Sequence, residues 1–162
     1  MSDDPTCVAT PSQTVGPFLH IGLKPHLSQA TGGERIRLRI VVTDGDRQPV
    51  DDALIEVWPA AGDPGPGAAF ARQPTGRDGG CEFELVRPAH LNVCLFARGL
   101  LRQLHTRIYF TADRAVEPDA VLALVPEPRR STLLAYPDPD LSERWRFNLR
   151  LQGPEETVFF DI

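Results

Sequence analysis

The sequence predicts a mostly-β protein, an antiparallel β-sandwich entered through an extended N-terminal arm. Two stretches, 35–43 and 145–151, alternate strictly between apolar and polar residues, and a period of two marks a strand with one buried face. Strand-like runs recur between clusters of turn residues, about eight of them in all, as in sandwiches. Finally, 16 Pro and 13 Gly in 162 residues interrupt the chain too often for long helices.

Residues 1–34, rich in Pro, Gly, Ser and Thr and nearly without periodicity, form the arm, and 35–162 form the sandwich domain. In 35–43, Ile36, Leu38, Ile40 and Val42 share one face and Arg35, Arg37 and Arg39 the other. Asp44-Gly45-Asp46 and Pro49 are turn chemistry, and 53–58 is the second strand. The stretch 59–78 holds Gly62-Asp63-Pro64-Gly65-Pro66-Gly67 and reads as one long irregular loop, a length that in compact domains marks function or disorder. Further strands are predicted at 81–86, 90–97, 104–110, 121–125, 132–136 and 145–151. In the last, Trp145, Phe147, Leu149 and Leu151 oppose Arg144, Arg146, Asn148 and Arg150. Trp58 and Trp145 belong to the core on this pattern, whereas Arg129 and Arg130 read as interface or solvated charges. His105 suits either core or interface. The apolar end, Val158-Phe159-Phe160-Asp161-Ile162, is expected to complete a sheet, with docking onto another subunit as the alternative.

Composition excludes several classes. Hydrophobic residues at 41% and charged residues at 24% argue for a packed domain. A net charge of −5 disfavours nucleic acid and anionic membranes. No apolar run approaches the roughly 18 residues of a membrane span, and residues 1–11 lack the basic and apolar regions of a secretory signal. Cys7, Cys81 and Cys94 show no metal-ligand spacing, so free thiols and a cytoplasmic setting are expected. Cys94, within an apolar run, reads as a packing residue.

The chemistry-bearing stretch is Arg87-Pro88-Ala89-His90-Leu91-Asn92-Val93. On a strand, residues i and i+2 point the same way, roughly 7 Å apart, so a His-x-His pair could grip one metal ion. Here the pair is His90-x-Asn92, and a neutral carboxamide is a poor substitute for imidazole. The chain's two tyrosines, Tyr109 and Tyr136, both lie downstream. His105 and Tyr109 are roughly 13 Å apart along a strand, too far to share an ion, and His20 and His26 lie in the arm without a partner at a useful spacing.

Three segments together resemble the intradiol ring-cleaving dioxygenases, and among them the α chains of the two-chain enzymes. They are Thr10-Pro11-Ser12-Gln13-Thr14-Val15-Gly16-Pro17-Phe18-Leu19-His20-Ile21-Gly22, then Pro88-Ala89-His90-Leu91-Asn92-Val93 through Phe96-Ala97-Arg98-Gly99 to His105-Thr106-Arg107-Ile108-Tyr109-Phe110, and finally Leu151-Gln152-Gly153 through Thr157-Val158-Phe159-Phe160-Asp161. The resemblance runs from residue 10 to residue 161. It implies a sandwich of the intradiol dioxygenase type and an enzyme that opens protocatechuate with O2 to 3-carboxy-cis,cis-muconate. It also implies a non-haem Fe(III) held by two Tyr and two His in an iron-bearing β chain, the partner of this one.

In that family the Tyr ligands precede the Arg-Pro-x-His segment, yet 59–88 contains no tyrosine. His90 and Asn92 therefore stand at vestigial ligand positions, and no catalytic residue, metal ligand or bound cofactor is expected in this chain. The resemblance assigns Thr14, Gly16 and Pro17 to an arm walling the partner's substrate cleft, and Arg98 to a place near the partner's iron site. Glycine permits close backbone approach and proline limits the entropy lost on docking, while a guanidinium favours an anionic substrate. The regions between Trp58 and Cys81 and before Arg87 look abbreviated beside typical α chains. Two rival readings stay open: a stand-alone interaction module on this fold, and an active dioxygenase with an unrecognised ligand set.

Overall fold

A computed structural model describes residues 10–16, 18–23, 25–27, 33–59, 70–110, 119–141 and 143–161. In chain order the elements are α1 (Leu19–Gly22), β1 (His26–Leu27), β2 (Arg35–Thr43), β3 (Leu54–Pro59), β4 (Ala71–Pro74), β5 (Gly80–Val86), β6 (His90–Phe96) and β7 (Leu104–Phe110). After these come α2 (Ala120–Leu124), α3 (Glu127–Arg130), a 3-10 turn (Ser131–Leu133), β8 (Leu134–Pro137) and β9 (Arg144–Arg150). Among the described residues the strands run β1-β4-β3-β6-β7-β8-β9-β2-β5, a sheet folded on itself as a sandwich.

The alternation seen in the sequence places the core. Ile36, Leu38, Ile40 and Val42 of β2 and Trp145, Phe147 and Leu149 of β9 face Ile55 and Val57 of β3, Leu91, Val93 and Leu95 of β6, and Ile108 and Phe110 of β7. Phe110 meets Trp145 edge-on, ring centres 5.3 Å apart. Trp145 is therefore core, as expected, whereas Trp58 is half-buried on the face of β3 turned away from it. Gly79, at φ +69°, brings the chain so close to β2 that a Cβ would stand 2.5 Å from the Val42 carbonyl oxygen.

Four further expectations need correction. The sandwich is not wholly antiparallel, because β2–β9 and β7–β8 are parallel pairs. Parallel neighbours need long connections, which strands so far apart in the chain supply. The predicted loop 59–78 contains β4, which pairs with β3 and with the arm strand β1; residues 60–69 of that expectation lie outside the described residues. The predicted strand 121–125 is mostly the helix α2, because Asp119 accepts hydrogen bonds from the Val121 and Leu122 amides and caps it. Arg129 and Arg130 are not merely solvated: Arg129 donates to the Glu156 carbonyl (2.6 Å), and Arg130 to those of Val125 and Ala123 (2.8 and 3.1 Å).

The apolar tail does join a sheet. The Phe160 amide donates to the His105 carbonyl at 2.8 Å, and Thr106 Oγ1 donates to the Val158 carbonyl at 2.7 Å. Arg129 thus holds the start of the tail, and the tail pairs with β7.

Candidate functional site

β6 and β7 pair so that His90 faces Tyr109 and Asn92 faces Arg107. All four lie on the outer face, because the alternate residues Leu91, Val93 and Ile108 point into the core. α2 and the tail cover part of this face, burying Tyr109 with Val125 and Leu133 against Leu122, Val158 and Phe160.

Asp119 is the hub of the covered patch. It accepts hydrogen bonds from Tyr109 Oη (2.8 Å), from the Val121 and Leu122 amides (2.9 and 2.8 Å) and from Arg107 Nη1 (3.3 Å). His90 Nδ1 lies 3.8 Å from its other oxygen, and the His90 and Tyr109 rings are 5.3 Å apart. Burial pushes the Asp119 carboxyl upward, but the Leu122 amide, the Tyr109 hydroxyl and Arg107 together hold it below its usual 3.8. Burial drives the Tyr109 phenol the other way, up to about 12, with Arg107 opposing and Asp119 adding to the effect.

These residues do not fit a ferric centre of two imidazoles and two phenolates. Asn92 offers a neutral amide, with Nδ2 3.5 Å from the Pro59 carbonyl oxygen. Tyr109 keeps its proton on the bond to Asp119, and Asp119 is occupied by four donors. Among the described residues no group of three His, Cys, Asp or Glu side chains is placed to hold a metal. A cavity of about 230 Å³ remains beside Trp58, Asn92, Arg107, Val121 and Phe160. Cys94, on the same strand face, is buried and its thiol is pushed up to about 12, the state of a packing residue.

The other predicted site residues gather at the far end of β6. From His90 to Arg98 is eight steps of extended chain, roughly 26 Å, so Arg98 does not share a site with His90 and Asn92. Its turn carries Gly99 at φ +87°, and the Gly99 amide donates to Thr14 Oγ1 at 2.7 Å. The structure thus joins Thr14 of the arm to the Arg98 turn, 85 residues later. Gly16 lies nearby in the arm; its carbonyl accepts from Leu19 (3.2 Å), and a Cβ there would meet nothing within 4 Å. Among the described residues, then, nothing requires glycine at 16. Pro17 lies outside the described residues. Arg98 itself pairs through Nε with Asp52.

Sequence reasoning missed Asp119, Arg107, Tyr109 and Asp52 as site residues. Asp119 had a signal, an Asp directly before an apolar run, which is where helix N-caps stand. Asp52 had none, because its partner is 46 residues away.

No protein-family model matches the chain. It is similar to the protocatechuate 3,4-dioxygenase alpha chain of Burkholderia cepacia, at 37% identity over 97% of this chain and 99% of that one. The alpha chain from Pseudomonas putida is 36% identical over 94% and 96%. Both alignments, of 195 and 194 positions, are longer than the 162 residues here, so these relatives carry residues that this chain lacks. Among solved structures the fold is similar to a dioxygenase domain from Streptomyces sp. SirexAA-E (TM-score 0.57, 21% identity, 79% and 83% of the two chains). It is also similar to an intradiol ring-cleavage dioxygenase from Tetranychus urticae (TM-score 0.54, 15% identity, 89% and 94%).

Proposed function

The chain belongs to the protocatechuate 3,4-dioxygenase alpha chains, a branch of the intradiol dioxygenases, and from that membership we propose that it works as the iron-free partner of an iron-bearing beta chain. The assembled enzyme cleaves protocatechuate with O2 to 3-carboxy-cis,cis-muconate, and the ring-opening chemistry belongs to the Fe(III) of the beta chain. Residues 1–34 act as the arm and 35–162 as the sandwich that carries it. Thr14, Gly16 and Pro17 wall the partner's substrate cleft, and Arg98 supplies positive charge there. That charge is useful because the substrate carries a carboxylate and becomes a catecholate, and an oriented guanidinium stabilises negative charge on oxygen.

The observation that supports this reading most is the state of the vestigial positions. His90 and Asn92 stand on the outer face of the sheet beside an Asp119 network that satisfies itself, at the opposite end of β6 from Arg98. Among the described residues no group of three potential ligands is placed to hold a metal, which supports reading Arg98 as serving another chain's centre.

Co-expression tests it. This chain purified alone should lack stoichiometric iron and leave protocatechuate untouched, and with the beta chain it should form an active, iron-loaded complex. Tightly held ferric iron with a tyrosinate colour in the isolated chain would sink the reading, as would a failure to associate with the beta chain. In the complex, Arg98→Ala should raise KM for protocatechuate roughly tenfold, the scale of one charge-assisted contact.

A further inference from the structure

The side chain that aims Arg98 lies outside the arm and the turn. Asp52 is only 15% exposed at its side chain, while that of Arg98 is 59% exposed. The carboxylate takes the guanidinium at Nε, which leaves the terminal Nη edge, with its four N–H donors, on the outward side. A half-buried anion gripping one edge of a planar fork restricts where the other edge points.

Asp52 is itself held. It stands in the turn before β3, and the buried Thr75 staples that turn. Thr75 Oγ1 donates to the Val50 carbonyl (2.7 Å) and accepts from the Ala53 amide (3.0 Å), and the Thr75 amide donates to the Ala53 carbonyl (2.9 Å). On the other flank, Thr14 Oγ1 fixes the Gly99 amide. The Arg98 backbone is therefore tied to the arm, and its side chain to the base of β3.

We propose that Asp52 is the positioning residue of Arg98, presenting the guanidinium fork outward to the carboxylate-bearing substrate in the partner's cleft. This rests on the reading of Arg98 given above. Asp52 touches no substrate; it acts by holding Arg98 in one orientation before substrate arrives, so that binding does not pay for that order.

The test is a set of kinetic measurements on the assembled complex with Asp52→Asn, Arg98→Ala, the double variant and Arg98→Lys. Asp52→Asn should raise KM for protocatechuate roughly three- to tenfold with kcat little changed, as loss of orientation predicts. In the Arg98→Ala background the same change should do nothing further, because Asp52 acts only through Arg98. Arg98→Lys should resemble Arg98→Ala, since an ammonium has no second edge to present. A full effect of Asp52→Asn on top of Arg98→Ala would mark Asp52 as structural and overturn the proposal. So would an unchanged KM for Asp52→Asn while Arg98→Ala is impaired, or a wild-type KM for Arg98→Lys. If Arg98→Ala itself is silent, the cleft role of Arg98 fails first and the Asp52 proposal with it.

Discussion

Asp119 shows how one carboxylate can occupy a place where ligand chemistry is absent. It caps α2 and accepts the Tyr109 hydroxyl and Arg107, and its folded-state pKa lies below the usual 3.8. A depressed carboxyl contributes stability that is fully present above 3.8 and is lost as pH falls through the lower folded value. Replacing Asp119 by Asn keeps a good cap but removes the charge, so about 1–3 kcal/mol of stability should be lost at neutral pH. Urea unfolding across pH should show the gap between the two proteins shrinking as the pH drops below 3.8. A gap constant with pH would mean that the charge does not matter. At this scale the sequence made the deficit legible, since His90-x-Asn92 and the missing upstream tyrosines need only counting. The groups that surround the deficit were not legible, because Asp119 reaches Tyr109 and Arg107 only after β7 and α2 have packed.

Among the elements, the alternating strands and most of the short runs between turns were readable, and the run 121–125 was not. β2 and β9 fall where period-two alternation puts them, give or take a residue at an end, and β7 spans the expected Leu104–Phe110. The run Val121-Leu122-Ala123-Leu124-Val125 has no period, and such runs suit a buried strand or a helix equally; the Asp119 cap decides for the helix. The end of α2 is held by the next turn of chain, because Arg130 reaches back to the carbonyls of Val125 and Ala123. Arg130→Ala should therefore destabilise the protein by about 1–3 kcal/mol, although its position beside Pro128 suggests a surface charge. Thermal melting reads this directly. An unchanged midpoint would return Arg130 to the solvated class.

For the whole molecule, one face is finished and another is not. The tail seals part of the outer face of β7, although Leu124 of α2 is 84% exposed, and around α1 and the Arg98 turn Phe18 is 71%, Ile21 62% and Leu101 62% exposed. Large apolar side chains left in water at one end of a chain suit burial against a partner. Ile21→Asp should weaken association with the beta chain by tenfold or more while the isolated chain keeps its melting temperature; equal assembly by size-exclusion chromatography would place the contact elsewhere. The sequence alone determined the sandwich and the His90-x-Asn92 pair, because alternation and residue identity are local properties that packing cannot change. Only the tertiary structure decided the parallel pairs, the Asp119 hub and the Asp52–Arg98 grip. Apart from Asp119's local cap on α2, each joins residues whose spacing along the chain carries no signal, and each exists only once the sheet has brought them side by side.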